Sequence, residues 1–374
     1  MAKQNTKQNT NIRFTFTGAP SVGKNFLTES TTQYGAKAVR LNFGVKVGTN
    51  MEFCGLYGSI RDTIHTYNSD NQAMDVDWAD RKDPDVIAKV ARYRKFRTNV
   101  GTEDGEIKEF ITEYDFIQYL ADELRDYKQD ICVTGNMSVR YDNKGVLRRN
   151  FNIDGVWMRR DGDKKKLSIM VPLTYWKDCV DKSDLKETGK IYVNGYVLQY
   201  VDKENPCKYL PLTVVFNTNA FNMDDAKQKG QFECRNELID TKAKTPETMM
   251  WDVRIVNGAQ EVEFDESQLT KLQKKLIELG EKTLEDFRPR GQIFGDRISE
   301  LRFNEPYAKE TYANGPVDTG YKVSEFENEI YVPTKDESID DMERSAAKPK
   351  AKAKDDLPFE AEDTKAAADE EEYF

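Results

Sequence analysis

The sequence predicts a mostly β (α+β) protein of several domains that ends in a disordered, acidic C-terminal tail. Apolar and polar residues alternate with a period of two in many short segments, which is typical of strands with one buried face. Two other segments have helical periodicity, and the chain beyond about residue 334 is highly charged and poor in apolar residues. A length of 374 residues is enough for two or three domains.

Strands are predicted first near the N-terminus, at residues 12–17, 39–45 and 51–57. A further hairpin is predicted at residues 249–264. There Trp251, Val253 and Ile255 alternate with polar residues, and Asn257-Gly258 has the composition of a tight turn.

The clearest helix is predicted at residues 111–127. Its apolar positions recur at helical spacing, and Thr112 and Asp115 fit a capping box with Asp in place of Glu. A short helix is predicted to begin at Asp83-Pro84, because Pro is favoured in the first turn. Leucines at helical spacing predict another amphipathic helix at residues 269–279, with Gly280 as its C-cap.

A long hairpin is predicted twice in the chain. Residues 131–157 contain Ile-x-Val-x-Gly, a polar turn and a second strand, and residues 191–216 repeat this pattern sixty positions later. The matching pairs, which align without a gap, are Ile131/Ile191, Val133/Val193, Gly135/Gly195 and Asp142/Asp202. This similarity indicates an internal duplication.

The first strand, the helix at 111–127 and the hairpin at 131–157 follow the order of an OB-like barrel, in which a helix lies between the third and fourth strands. The hairpin also resembles the last two strands of bacterial and phage single-stranded DNA-binding proteins. The resemblance covers about residues 110–157 and, more weakly, 188–217. It implies OB-like barrels with an inserted helix and a phage-type protein that binds single-stranded DNA.

The predicted organisation has five parts. They are a disordered N-terminus (1–11), an OB-like DNA-binding domain (12–160), a second OB-like or β unit (161–245), a small β-hairpin plus helix unit (246–333) and a disordered acidic tail (334–374).

Charge is distributed unevenly along the chain. The formal net charge is −10, and residues 355–374 carry −8 of it, so residues 1–354 carry only −2. A nearly neutral body can carry local basic surfaces that bind a polyanion.

The tail resembles the acidic, partner-binding tip of bacterial and phage single-stranded DNA-binding proteins at two places. The resemblance implies that these residues recruit replication or recombination proteins: Asp355, Asp356, Leu357, Pro358, Phe359, Glu371, Glu372, Tyr373 and Phe374. The first element departs from the family pattern because it lies fifteen residues before the C-terminus. A solubilising tail is the alternative interpretation.

Basic and aromatic residues interleave in two clusters. The first consists of Lys89, Arg92, Tyr93, Arg94, Lys95, Phe96 and Arg97. The second consists of Arg140, Tyr141, Lys144, Arg148, Arg149, Phe151, Trp157, Arg159 and Arg160. Cations neutralise phosphates and exposed rings stack on unpaired bases, so both clusters are predicted to bind DNA, although Phe151 and Trp157 equally suit a core.

One motif favours an enzyme instead. Residues 18–24 match the GxxxxGK pattern of a phosphate-binding loop after a strand. However, Asn25 replaces the Ser or Thr that would bind magnesium, and the following residues are poor helix formers. A loop between strands is therefore the preferred interpretation, and a P-loop nucleotide hydrolase is kept as an alternative.

No catalytic, metal or cofactor site is predicted. His65 is the only histidine, and the five cysteines contain no CxxC pair, which is typical of reduced thiols in a cytoplasm. The sequence contains no apolar run suited to a signal peptide or a membrane span. The preferred function is a non-enzymatic, cytoplasmic single-stranded DNA-binding protein of phage DNA replication, recombination or repair. A mostly β structural or assembly protein is a second alternative, and homo-oligomers are left open.

Overall fold

The computed structural model describes residues 12–141, 146–199, 208–261, 269–288 and 294–328. The predicted turn positions Asp142 and Asp202, the predicted strand at residues 262–264 and the whole tail lie outside these ranges.

The fold is dominated by strands, as the sequence predicts. In chain order they are β1 (Ile12–Ser21), β2 (Leu27–Thr31), β3 (Lys37–Val47), β4 (Asn50–Ser59), β5 (Thr63–Tyr67), β6 (Ala73–Asp77), β7 (Phe96–Thr98), β8 (Lys108–Phe110), β9 (Ile131–Tyr141), β10 (Leu147–Met158), β11 (Lys166–Tyr175), β12 (Val180–Asp181), β13 (Lys190–Gln199), β14 (Lys208–Asn217), β15 (Glu247–Glu261), β16 (Phe294–Pro306) and β17 (Val317–Asp318). The helices are α1 (Pro84–Lys89), α2 (Glu113–Leu124), α3 (Leu185–Thr188), α4 (Ala226–Ile239), α5 (Lys271–Glu278) and α6 (Val323–Asn328).

Five strands of the N-terminal half close into a ring, called here the first barrel. β1 pairs with β9, β9 with β10, β10 with β4, β4 with β3, and β3 with the end of β1. The β10–β4 contact is parallel and joins Asn152 to Gly55, whereas the other pairings are antiparallel. When the five strands are numbered in chain order, their order around the ring is first, second, third, fifth and fourth. This is the closed Greek-key order of an OB-fold.

Helix α2 lies between the third and fourth strands of this barrel, where the sequence predicts it. The Thr112 side chain accepts a hydrogen bond from the backbone N of Asp115, so Thr112 is the N-cap as predicted. The Asp115 carboxylate accepts from the Thr112 hydroxyl rather than from its backbone N, so among the described contacts the capping box is only half formed. The apolar face of α2 buries Phe116, Ile117 and Leu120 in the barrel core. The helix begins directly over β4, because a Cβ at Gly58 would lie 2.5 Å from the backbone N of Tyr114.

A second ring, called here the second barrel, uses β11, β13, β14, β15 and β16. β11 pairs with β15, β15 with β16, β16 with β14, β14 with β13, and β13 with β11. The β14–β16 contact is parallel, like the β4–β10 contact of the first barrel. In the first barrel, the β3–β4 hairpin comes before the β9–β10 hairpin along the chain. In the second barrel, the hairpin equivalent to β9–β10, which is β13–β14, comes before β15–β16, so the strand order along the chain is permuted. Strands from the two predicted units 161–245 and 246–333 thus pair within one ring.

The predicted duplicated hairpins occupy the same position in the two barrels. β9–β10 and β13–β14 each place their first strand beside the barrel's first strand, β1 or β11. The three described matching pairs are buried in both copies. β1 also pairs with β11, so one hydrophobic core cluster runs through both barrels.

The predicted hairpin at 249–264 is wrong. β15 is one continuous strand, and Asn257 and Gly258 pair with Ser299 and Ile298 of β16. Gly258 is required by a close approach rather than by a turn, because a Cβ there would lie 2.2 Å from the backbone O of Thr49. Long-range pairing therefore overrides the local turn propensity of this dipeptide.

The phosphate-binding loop is not formed. Residues 18–21 are the end of β1, and Ala19 and Pro20 pair with Lys46 and Val45 of β3. The chain then turns into strand β2, whereas a phosphate-binding loop leads into a helix whose N-terminus faces the phosphates.

Other differences concern helices and the segment after β4. Helix α1 begins at Pro84 with Asp83 as its N-cap, as predicted, and α5 covers Lys271–Glu278 of the predicted 269–279. Helix α4 was not predicted, because its polar sequence has little amphipathic periodicity. Residues 60–110 add the β5–β6 hairpin and α1 around a small second core. Within the described ranges, no helix is long and apolar enough to cross a membrane.

Candidate nucleic-acid interface

Two aromatic rings project to solvent from the third strand of the first barrel. Phe53 is 56% exposed and Tyr57 is 47% exposed, and both lie on the outer face of β4. Between them, Cys54 and Leu56 point into the core. Burial raises the pKa of the Cys54 thiol, so this side chain stays neutral and behaves as a small apolar residue.

Cations from the neighbouring strand β3 accompany these rings. Arg40 lies directly opposite Tyr57 in the ladder, and its guanidinium carbon is 5.8 Å from the ring centroid. Lys46 is exposed on the same outer face. In the described part of the chain, no carboxylate forms an ion pair with Arg40 or Lys46. Both charges are therefore available to an anionic ligand.

A row of amide side chains crosses the same surface, which is called here the β3–β4 face. Gly55 pairs with Asn42 of β3 on one side and with Asn152 of β10 on the other. Asn42 and Asn152 are both exposed. The β3–β4 face thus combines aromatic rings, cations and uncharged polar groups on the neighbouring strands β3, β4 and β10. The rings lie on β4, the third strand of the barrel.

The first predicted cluster is divided between the surface and the interior. Lys89, Arg92, Tyr93 and Arg94 are exposed, and Tyr93 is 64% exposed. The Arg94 guanidinium lies 4.8 Å from the ring centroid of Tyr67 and 5.6 Å from that of Tyr93. The Tyr93 hydroxyl donates a 2.7 Å hydrogen bond to Asn71. These residues form a second cationic and aromatic surface on the segment after β4.

The other members of that cluster are engaged inside the protein. Lys95 forms a 2.6 Å ion pair with Glu109 and is almost fully buried. The Phe96 ring stacks on Phe116 of α2 at 5.5 Å. These two side chains consequently stabilise the packing of β7 and β8 on α2.

The second predicted cluster is also divided. Lys144 lies outside the described residues, as do the side chains of Arg140 and Tyr141. Arg148 is exposed on β10 and Arg149 is half-buried. Phe151 is buried, with its ring 5.3 Å from Phe14 and 4.9 Å from Phe16. Its ring therefore has no face left for a base, and Phe151 belongs to the core.

The end of β10 is held by internal contacts. The Trp157 indole lies 3.4 Å from the Thr134 hydroxyl, and the Arg97 guanidinium lies 5.6 Å from its ring. Arg159 and Lys165 form ion pairs with Asp130 at 3.0 and 2.8 Å. The hydrogen bond from Lys165, followed by that from Arg159, lowers the pKa of this carboxyl. Arg160 is exposed beside this network.

Comparisons with known proteins give little further information. No family model matches the chain, and no curated protein matches it. Two solved structures share a distant likeness: the wild-type single-stranded DNA binding protein from Thermus aquaticus and a deletion mutant of it. Each is 11% identical to this chain with a TM-score of 0.29, and the match covers 66% of this chain and 85% or 86% of theirs. At that score the likeness carries no weight for this chain.

The corresponding face of the second barrel, on β15 and β16, has a different character. Its outward side chains are largely paired with one another. Glu300 accepts hydrogen bonds from Lys190 and Arg302, and Asp252 accepts them from Ser168 and Asn304. None of the exposed large hydrophobic residues lies on the described part of these two strands. The described aromatic and cationic surface therefore belongs to the first barrel.

Sequence reasoning missed Phe53 and Tyr57. The segment was predicted as a strand, but the two aromatic residues share one side of it and the smaller Cys54 and Leu56 share the other. The side with Cys54 and Leu56 is buried because Gly58, on that same side, is covered by α2, a contact that no local pattern in the sequence indicates. Identifying that side as the buried one would have placed both rings in solvent.

Proposed function

We propose that this protein is a non-enzymatic single-stranded DNA-binding protein whose main contact surface is the β3–β4 face. The observation that carries the proposal is the pair of exposed rings, Phe53 and Tyr57, beside Arg40 and Lys46, two cations to which the described part of the chain supplies no ion-pair partner. Exposed rings on a regular strand are available to stack on the flat faces of unpaired bases, and the cations beside them would neutralise the phosphates of the same strand.

The chemistry of this face suits a single strand better than a duplex. Each base stacked on an aromatic ring contributes about 1–3 kcal/mol, and this requires an unpaired base face. Arg40 and Lys46 would neutralise backbone phosphates and release counterions. Every base has a π-face, so binding by stacking has little sequence preference.

We also propose that the DNA path extends beyond the β3–β4 face. Tyr93, Arg94, Arg92 and Lys89 offer a second ring and further cations on the segment after β4. Arg148 offers a further exposed cation on β10, next to β4 in the barrel. Arg140, Tyr141 and Lys144 are proposed contacts on sequence grounds alone.

The biological setting and the role of the tail are proposed on sequence grounds as well. They comprise phage DNA replication, recombination or repair in a host cytoplasm, with residues 355–374 binding partner proteins. An acidic segment with Phe359 and Phe374 as apolar anchors fits a pocket flanked by cations on a partner.

The decisive experiment measures binding of a fluorescently labelled dT oligonucleotide by anisotropy. Phe53→Ala and Tyr57→Ala should each weaken binding by about 1–3 kcal/mol while the protein stays folded, because both rings are exposed. Tyr192→Ala is the matched control, since Tyr192 is a partly exposed tyrosine of β13 in the second barrel. Equal affinity of wild type and both β4 variants, or equal affinity for duplex and single strand, would contradict the proposal.

A further inference from the structure

We propose that the β3–β4 face contains a slot for one unpaired base at Gly55 and that the Asn42 side chain hydrogen-bonds the edge of this base. This inference rests on the proposed function and adds a base-edge contact to it. Stacking alone would leave the polar edges of the bases in solvent.

Two walls of the slot are aromatic. Phe53 and Tyr57 lie two residues before and two residues after Gly55 on β4, and alternate residues of a strand share one face. The Cα atoms of these two residues are about 13 Å apart at the ordinary rise of a strand. Gly55 adds no side chain between the rings, so the edge of a base that enters between them can come close to the floor of the slot.

The other two walls are amides. Asn42 and Asn152 lie directly opposite Gly55 on the two neighbouring strands, each at a strand spacing of about 4.8 Å. Both side chains are exposed on the outer face. A base that enters between the rings therefore meets a hydrogen-bonding group on either side.

Asn42 reaches over the floor of the slot. A Cβ added to Gly55 would lie 2.4 Å from Oδ1 of Asn42 and 2.7 Å from the backbone O of Leu41. The absence of a side chain at Gly55 is thus what lets this amide occupy the centre of the face. The backbone N of Asn42 donates a 2.9 Å hydrogen bond to the backbone O of Phe26, which fixes the strand at this position.

The Asn42 amide is available for a ligand. Within the described ranges, the Asn42 side chain has no hydrogen-bond partner in the protein, whereas Arg13 and Thr134, on other strands of the barrel, are bonded to Asn136 and Asp154. An amide presents a donor and an acceptor side by side. The polar edges of the bases offer such pairs in either order, and rotation of the amide matches both. The contact therefore adds affinity without strict selection of one base.

The test combines a protein substitution with a chemical change in the DNA. In dT20 with a methyl group on N3 of every thymine, the edge donor is removed and the stacking face is kept. Wild type and Asn42→Leu, which keeps the approximate size of the side chain but not its hydrogen bonds, are titrated with both oligonucleotides. Asn314→Leu, at an exposed loop position, is the control for the substitution itself.

Wild type should bind the methylated strand about five-fold more weakly than dT20, as expected for the loss of one net hydrogen bond. Asn42→Leu should bind dT20 about five-fold more weakly than wild type and should not distinguish the two strands. A methylation penalty of equal size in wild type and Asn42→Leu would overturn the inference. If, in addition, Tyr57→Ala binds dT20 as tightly as wild type does, the proposed function is contradicted as well as the slot. If Tyr57→Ala weakens binding while the penalty is unchanged in Asn42→Leu, only the slot is excluded.

Discussion

Gly135 and Gly195 occupy equivalent positions in the two barrels, each where the duplicated hairpin approaches the barrel's first strand. A Cβ at Gly135 would lie 2.0 Å from the backbone O of Asn152 and 2.6 Å from the Phe14 ring. At Gly195 it would lie 2.9 Å from the Leu173 side chain and from the backbone O of Thr174. Close approach of backbones in a small barrel thus explains the glycine in both copies of the repeat.

Gly135→Ala should lower the free energy of unfolding by several kcal/mol, because strand β10 must shift to admit the methyl group. Gly195→Ala should cost less, because the nearest backbone O would lie 2.9 Å rather than 2.0 Å from the added methyl group and the Leu173 side chain can move. Urea unfolding followed by tryptophan fluorescence measures both. Gly230→Ala is the control: Gly230 lies in helix α4 with open space around it, and the change should stabilise the protein by up to about 1 kcal/mol. Equal effects at all three glycines would contradict this account.

The salt dependence of DNA binding tests the cations of the β3–β4 face. If about six phosphates are neutralised, log affinity should fall against log salt with a slope of about −4 for a single strand. The double variant Arg40→Ala/Lys46→Ala should make this slope shallower by about 1.4, because each lost phosphate contact removes about 0.7. Lys186→Ala/Lys229→Ala, two exposed lysines of helices α3 and α4, should leave it unchanged. A wild-type affinity that does not respond to salt would count against the whole electrostatic part of the proposal.

Substitutions of Phe151 and Phe53 should separate effects on stability from effects on DNA binding. Phe151→Leu should lower the free energy of unfolding by about 1–2 kcal/mol, since it packs against Phe14 and Phe16. It should leave the affinity of the folded protein for dT20 unchanged. Phe53→Leu should do the opposite, because Phe53 is exposed and stacks on a base in the proposed complex. Thermal unfolding and anisotropy titration of the same two variants measure both effects.

The fold and the candidate site could be predicted only in part from the sequence. The strands at 12–17, 39–45 and 51–57, the capped helix α2 and the repeated hairpin were predicted correctly, because each depends on local periodicity or on a local cap. The buried side of β4 was not identified, since it depends on the contact of Gly58 with α2. The composition of the 89–97 cluster predicted a basic and aromatic surface, but only the fold separates exposed Tyr93 and Arg94 from buried Lys95.

Pairing between distant strands could not be predicted from the sequence either. The Asn257-Gly258 dipeptide has the composition of a turn, and nothing within its neighbourhood indicates that it continues a strand against Ser299 and Ile298. The permuted order of the second barrel depends on the pairing of β15 with β11, some eighty residues apart in sequence. Such contacts are specified by the whole core rather than by any local pattern.

The ion-paired face of the second barrel predicts a pH dependence of stability. Burial opposes ionisation of Glu300, but hydrogen bonds from Lys190 and Arg302 outweigh it and lower the pKa of this carboxyl. Its folded pKa thus lies below the unfolded value of about 4.3. The resulting stabilisation is fully present above the unfolded pKa and is lost as the pH falls through the folded pKa.

Glu300→Gln should therefore lower the free energy of unfolding by roughly 1–3 kcal/mol at pH 7. The difference from wild type should shrink as the pH falls below about 4. Glu278→Gln, at an exposed position of helix α5, should have little effect at either pH. Denaturant unfolding at several pH values measures this, and a difference that grows on acidification would contradict the assignment.

The C-terminal tail should compete with DNA for the cations of the first barrel. Residues 355–374 carry a charge of −8, whereas the rest of the chain carries −2. A polyanion attached to the same chain acts at an effective concentration on the order of millimolar, so weak attraction to Arg40 and Lys46 suffices for competition. Truncation after Lys354 should then tighten binding to dT20 at low salt, and the gain should shrink as salt screens the exposed charges.

Phe359→Ala and Phe374→Ala keep the charge and should leave DNA affinity unchanged, while one of them should abolish recovery of partner proteins. If truncation changes neither DNA affinity nor partner recovery, the tail serves only solubility.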